Sequence, residues 1–329
     1  MAKEKTKKEH YVPRCYLKRW GDENDQVCVF DKKKKRNWIN NYYDVACERF
    51  FYDINSSELN KDALNFLHNH GIFPEEDEQF IENFFSKQVE TEYGVLLKEL
   101  VDKEITPWYE KNCFFISEQK KIMFSICLAY QFIRTKTARQ TISDTALCLE
   151  KWMNDMDCSS EFKERYLLPK GEENIIQSNM FFDFNHITHI AETFFGLSWI
   201  LRINKTDKDF FTSDNPIGTY PHVRKYGMSM SGIASEGVEV YIPLSPKHLL
   251  VMYDGKYHTE IKKHDRRFCA IDNVEDVDWY NRLSVHNSGQ YIYSNQTGVD
   301  DIKKIVSEDR EMIDLPKVSM SYGGKTYTP

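Results

Sequence analysis

His10 lies in EHYVPRCYLKRW, residues 9 to 20, just ahead of Pro13, a residue favoured in the first turn of a helix. Val12, Cys15, Tyr16 and Trp20 then make a short apolar helical face. An imidazole near a helix N-terminus is disfavoured as imidazolium, so a neutral ring able to accept a proton or bind a metal is expected. The plainer alternative is a histidine bonded to backbone that fixes the entry into the helix.

A second polar feature lies within apolar helices. Residues 76 to 102 carry Phe80, Ile81, Phe84, Phe85, Val89, Tyr93, Leu96 and Leu97 at the spacing of a long amphipathic helix. At about 100° per residue, Gln88 and Glu92 fall inside that apolar stripe. A carboxylate there must be neutralised, paired or bound to a metal. The stretch IMFSICLAYQFI, residues 122 to 133, is apolar almost all round yet carries Gln131, with Arg134 just beyond it on the side of Met123, Cys127 and Tyr130. A buried arginine calls for a carboxylate, and Glu92 is the expected partner, in a structural pair or in a site.

The third feature is FFTSDNP, residues 210 to 216, where a strand runs into Asp214 and Asn215 and Pro216 ends it. Asp and Asn ahead of Pro form Asx-turns, and a carboxylate at a strand end is also a usual place for catalysis or metal binding. Other histidine-bearing stretches carry less. LHNHG (67 to 71) has only the letters of a nuclease name, and HITHIAE (186 to 192) places His189 and Glu192 opposite an apolar face of Ile187, Ile190, Ala191 and Phe194. No phosphate-binding glycine loop and no GxSxG elbow is present in the sequence.

The elements that must position these residues fall into three stretches. Residues 1–58 read as an anchor segment and a hairpin, QVCVFDKKKKRNWINN, with a lysine-rich tip, followed by a partly extended run that continues a small sheet. Residues 59–196 read as a helical block, with helices over 76–102, 118–155 (after Ser117 as N-cap), 159–167 and 174–195. Residues 197–329 read as a β-rich part with short helices, its strands at 197–203, 209–213, 238–244, 248–254 and 289–294. The Gly/Ser-rich loop 226–237 could close over a ligand. The predicted fold class is α+β: a small mixed or antiparallel sheet from N- and C-terminal strands with a large inserted helical block.

Composition narrows the function classes. The chain has 329 residues, 41% of them hydrophobic and 14% aromatic, enough for a large core. No apolar run approaches the ~18 residues of a membrane span, and no hydrophobic region follows the N-terminal lysines, so no span and no secretory signal are expected. The eight cysteines are scattered without metal-ligand spacing and read as free thiols of a reducing cytoplasm. Net charge is −7, but residues 1 to 36 hold 12 Lys/Arg against 6 Asp/Glu, which leaves −13 on the remainder. An acidic body does not suit broad DNA binding, while the basic N-terminal end could touch phosphates locally.

HYVPRCYLKRW, VCVFDKKKK, ACERFFY, FIRTKTAR, FFTSDNPIG, YIPLSPKHLLVMY and YNRLSVHNSGQYIYS together resemble, in order and spacing, the bacterial family called domain of unknown function 4238, over about residues 8 to 295. Trp20 stands where that family usually has Phe, and Cys15 where it has an aromatic residue; both are packing positions. The resemblance makes His10, Arg14, Glu48, Tyr52, Arg134, Asp214 and Asn215 motif positions, and polar residues gathered from distant segments are what a pocket looks like in sequence. It implies a soluble bacterial protein, with a loose association to phage defence.

The leading expectation is a hydrolase of a phosphodiester or nucleotide, nuclease-like, in the role of a toxin or phage-defence effector. His10, Glu48, Asp214 and Asn215 would be catalytic. Arg14, Tyr52, Gln131 and Arg134 would bind substrate, and Glu92 would hold a divalent cation such as Mg²⁺ or Mn²⁺. Its rival is a non-catalytic binding or defence-associated module in which the same residues form a structural network. Nucleic acid or a nucleotide is the expected partner, and a membrane is not.

Overall fold

The computed structural model describes residues 8–102, 105–225, 228–229, 231–295, 298–309 and 318–329. The hairpin forms as the alternation predicts: Gln26–Asp31 pairs antiparallel with Arg36–Asn41. Its tip is closed by Asp31, whose Oδ1 accepts from the backbone N–H groups of Lys33 and Lys34. Tyr291–Ser294 pairs with the inner edge of this hairpin and Thr212–Ser213 pairs with Tyr291–Ser294, giving an antiparallel four-stranded sheet that joins the two ends of the chain. The run after the hairpin does not extend this sheet. Its strand Cys47–Arg49 pairs instead with Lys8–His10, placing His10 opposite Cys47.

A second sheet, of five strands, is built from residues 198–271 alone. Its order is Arg267–Ile271, Ser198–Asn204, His248–Tyr253, Val238–Ser245, Gly218–Pro221, antiparallel except for the first pair. Its central strands are apolar without alternation because both faces are covered. One face joins the helical block and the other meets helix Val274–Asn287 through Phe210, Tyr241, Leu249, Val251 and Val277.

The helical block is more broken than its periodicity suggests. Ser117 caps Glu118–Ile133 as expected, its Oγ accepting from Lys120 N at 3.2 Å. The chain then turns at Arg134, and Thr135 caps a separate helix, Lys136–Asp155, through a 3.1 Å bond from Ala138 N. Asp183 likewise splits the expected 174–195 helix into Glu173–Phe182 and Phe184–Gly196. Polar capping oxygens satisfy the orphan N–H groups of each new helix, which makes a break tolerable in a periodic run.

The helix expected over 76–102 runs as Phe80–Phe84, a π-helical turn at Phe85–Val89, and Glu90–Val101. One apolar cluster draws on all three stretches of the chain, including Tyr16, Trp20, Phe85, Phe124, Phe181, Trp199 and Tyr293. His189 and Glu192 are exposed while Ile187, Ile190, Ala191 and Phe194 are buried, as the helix pattern predicts. Among the described residues, no helix is long and apolar enough to cross a membrane. The expected closing loop at 226–237 falls partly outside the described residues.

Candidate functional site

The polar motif residues gather at two places, joined by the Arg134–Thr135 turn. At the first, Arg134 is fully buried and each of its three guanidinium nitrogens donates a hydrogen bond. Nη1 donates to Glu90 Oε1 at 2.9 Å, Nη2 to the carbonyl of His10, and Nε to the Tyr52 hydroxyl at 3.2 Å. The guanidinium lies over the Phe85 ring, 4.0 Å from its centroid. Tyr52 passes the chain on, donating to His10 O at 3.1 Å, while its backbone N–H donates to Glu9 Oε2 at 2.6 Å. Together these bonds fix the N-terminal strand against two helices.

The expected partner, Glu92, is replaced by Glu90, and the cause is the π-helical turn. An extra residue in that turn rotates everything after it by about one position, so a uniform helical wheel misplaces both polar side chains. Gln88 is exposed and Glu92 is half-buried, outside the set bonded to Arg134. Glu82, in the segment before that turn, lies beside Arg134, Glu90, Glu9 and Arg14. Burial pushes the Glu82 carboxyl up to about 7, and its Oε2 is buried with no hydrogen-bond partner among the described residues.

His10 is buried with both ring nitrogens engaged. Nδ1 accepts from Arg14 Nε at 3.2 Å, which leaves the proton on Nε2, 2.9 Å from the Tyr43 carbonyl. The ring is neutral, as expected, but burial and the neighbouring Arg14 charge are the main causes, and they hold it down to about 4. Its motif companions are packing anchors: Trp20 Nε1 donates to Phe210 O at 3.3 Å, and the Tyr16 hydroxyl donates to Pro243 O at 2.6 Å. Gln131 is buried with both side-chain polar atoms lacking a partner among the described residues, and nothing in the structure explains it.

At the second place, Asp214 is buried and its two oxygens accept three backbone N–H groups, from Gly289 at 2.7 Å, Gln290 at 2.7 Å and Tyr291 at 3.0 Å. Gly289 is required by this approach: a Cβ there would lie 2.8 Å from Thr137 Oγ1 and 3.0 Å from Asp214 Oδ2. Asn215 donates to Asn287 O at 3.1 Å, and its Oδ1 accepts from Thr135 Oγ1 at 3.3 Å. Ser213 and Asn215 close the turn on each other, at 3.0 and 3.1 Å. Beside this knot lies a cleft of about 190 Å³, lined by Lys33, Lys136, Gln140, Asp214, Gln290 and Tyr291 among others. Glu48 reaches its edge through an ion pair with Lys136, and both side chains are largely solvated.

The structure thus brings Arg14, Tyr52 and Arg134 onto His10, and Asn215 beside Asp214, but not Glu92 or Glu48 onto the histidine ring. Among the described residues, no group of three or more His, Cys, Asp and Glu side chains is placed to hold a metal ion. Sequence reasoning missed Glu9, Glu82 and Glu90; the acidic run before Phe80 and the ETE at 90–92 signalled carboxylates without saying which face they take.

The fold is α+β. The chain belongs to the family described as "Protein of unknown function (DUF4238)", which it matches over residues 8–298. Comparison with curated proteins and with solved structures finds no match.

Proposed function

We propose that this chain is a binding protein for a phosphate-bearing ligand, a nucleotide or a short single strand of nucleic acid, taken up at the cleft beside Asp214. The observation that carries this reading is the cleft's own chemistry. Lys33 lines it with no ion-pair partner among the described residues, and Lys34, Lys35 and Arg36 stand exposed next to it on the hairpin tip. Lys136 opens the helix that forms the opposite wall. Aromatic faces accompany the charges: Arg36 lies 5.5 Å from the centroid of Trp38, and Trp38 meets Tyr291 edge-on at 6.2 Å. Cations that track a phosphate chain beside rings that can stack on bases are the usual means of holding single strands.

The network around His10 supports binding over turnover. A general base needs a free lone pair within reach of substrate, and both His10 nitrogens are committed in a buried position. A hydrolase acting at the same cleft is the second reading, favoured by Asp214 in its wall. Oδ2 accepts two of the three backbone N–H groups and Oδ1 one, so a single lone pair of that carboxylate is left to meet a Mg²⁺ or Mn²⁺ ion.

The test is fluorescence anisotropy with a labelled oligothymidylate and with a fluorescent ATP analogue at rising salt. Tight binding that weakens with salt, and weakens about tenfold or more in the Lys33→Glu/Lys136→Glu double variant, is expected. Equal affinity of the double variant and the parent would refute the reading.

A further inference from the structure

A different polar cluster lies at the edge of the five-stranded sheet. Gly218–Pro221 pairs with Val238–Ser245, setting Tyr220 opposite Glu239 and bringing His222 alongside. Glu239 is buried, its Oε1 accepts from the Tyr280 hydroxyl at 2.8 Å, and its Oε2 lies 2.9 Å from His222 Nε2. The carboxyl selects the tautomer: Nε2 carries the proton, so Nδ1 keeps a lone pair. The His222 side chain is 32% exposed, and its Nδ1 has no hydrogen-bond partner among the described residues. His10, by contrast, has both nitrogens occupied.

The surroundings restrict what could sit there. The His258 ring stands perpendicular to His222 at 4.7 Å, with its Nε2 buried and without a hydrogen-bond partner among the described residues. Tyr220 lies 5.0 Å from His222 and 5.1 Å from Trp279, and Trp279 and Tyr257 expose 41% and 47% of their surface. Glu239 and Asp254 supply negative charge, and among the described residues no lysine or arginine forms an ion pair with either. Aromatic faces with nearby carboxyls accept a flat uncharged group or a cation and repel an anion.

We propose that His222, oriented by Glu239 and Tyr280, is the proton acceptor of a hydrolytic site for uncharged esters carried on an aromatic ring, independent of the phosphate-binding cleft. Nδ1 takes a proton from water as the water oxygen bonds to the ester carbonyl carbon. The ester C–O bond then breaks, its electron pair leaves on the alcohol oxygen, and that oxygen takes the proton back from Nδ1. Ester and water become acid and alcohol, with no further reactant. His222 is the catalytic residue; Glu239 and Tyr280 are positioning residues.

The experiment is hydrolysis of 4-nitrophenyl acetate by the full chain, with free imidazole at equal concentration as reference. Turnover above the reference, lowered about tenfold or more by His222→Asn at unchanged Tm, is expected. Glu239→Gln should lower kcat with KM preserved. Parent turnover no greater than imidazole, or a His222→Asn rate within about twofold of the parent, overturns the proposal. Should His222→Asn not fold, native protein is treated with diethylpyrocarbonate: loss of turnover in proportion to ethoxycarbonylation of His222 supports the site, and modification without loss sinks it.

Discussion

The cluster around Arg134 and the cluster around Glu239 are both polar, partly buried and rich in tyrosine, yet they differ in what they leave open. Around Arg134, fork, hydroxyl and imidazole are bonded to one another, to Glu90 or to backbone, and the buried Glu82 Oε2 has no partner among the described residues. Around Glu239 both carboxylate oxygens are bonded, and the imidazole of the part-exposed His222 keeps Nδ1 without a hydrogen-bond partner among the described residues. Polar residues in a shared motif can therefore be structural. Spare hydrogen-bonding capacity at an accessible atom is the better sign of chemistry.

The comparison breaks most directly at Arg134. Arg134→Ala strands Glu90 beside Glu82 without their cation and should cost about 3–5 kcal/mol in urea unfolding; a loss under about 1 kcal/mol would remove the structural account of the first cluster. Next is Asp214→Ala, which orphans three backbone donors, with an expected loss of about 2–4 kcal/mol by the same measurement.

Titration sharpens the contrast. The Glu82 carboxyl titrates at about 7 when folded against 4.5 ordinarily, so the folded state holds its proton longer and stability falls as pH rises across that window. His10 runs the other way: held down to about 4 against 6.5, it costs stability as pH falls between those values. Glu82→Gln should therefore remove the alkaline loss, a gain of about 1–3 kcal/mol near pH 8, and leave the acid loss intact. An unchanged pH profile of Tm would contradict the burial of Glu82. The smallest effect is expected at the solvated pair: Lys136→Ala should shift stability by under about 0.5 kcal/mol.

What was legible in the sequence follows from how local each feature is. The hairpin and its tip, the cap at Ser117, and the burial of Arg134 rest on residues within a turn or two of each other, and the structure has them. The partner of Arg134 was not legible, because a single π-helical turn at Phe85–Val89 re-phases the helix and no residue type announces it. Thr135 and Asp183 are capping residues in plain view, but the apolar period continues across both and hides the breaks. The His222 and Glu239 pairing depends on the register of two strands separated by a loop, which no local pattern fixes.

The four-stranded sheet also bears on how the chain is made. Val27, Val29 and Phe30 leave the ribosome early, but Tyr291–Ser294, which closes the inner edge of their hairpin, is synthesised only after the helical block and most of the second sheet. At translation rates of roughly 5–20 residues per second, that edge waits tens of seconds for its partner. An apolar strand with unpaired backbone groups is an aggregation hazard for as long as it waits. Protection of the nascent chain over this interval, by a chaperone or by the lysines at the hairpin tip, would then govern the yield of native protein more than its final stability does.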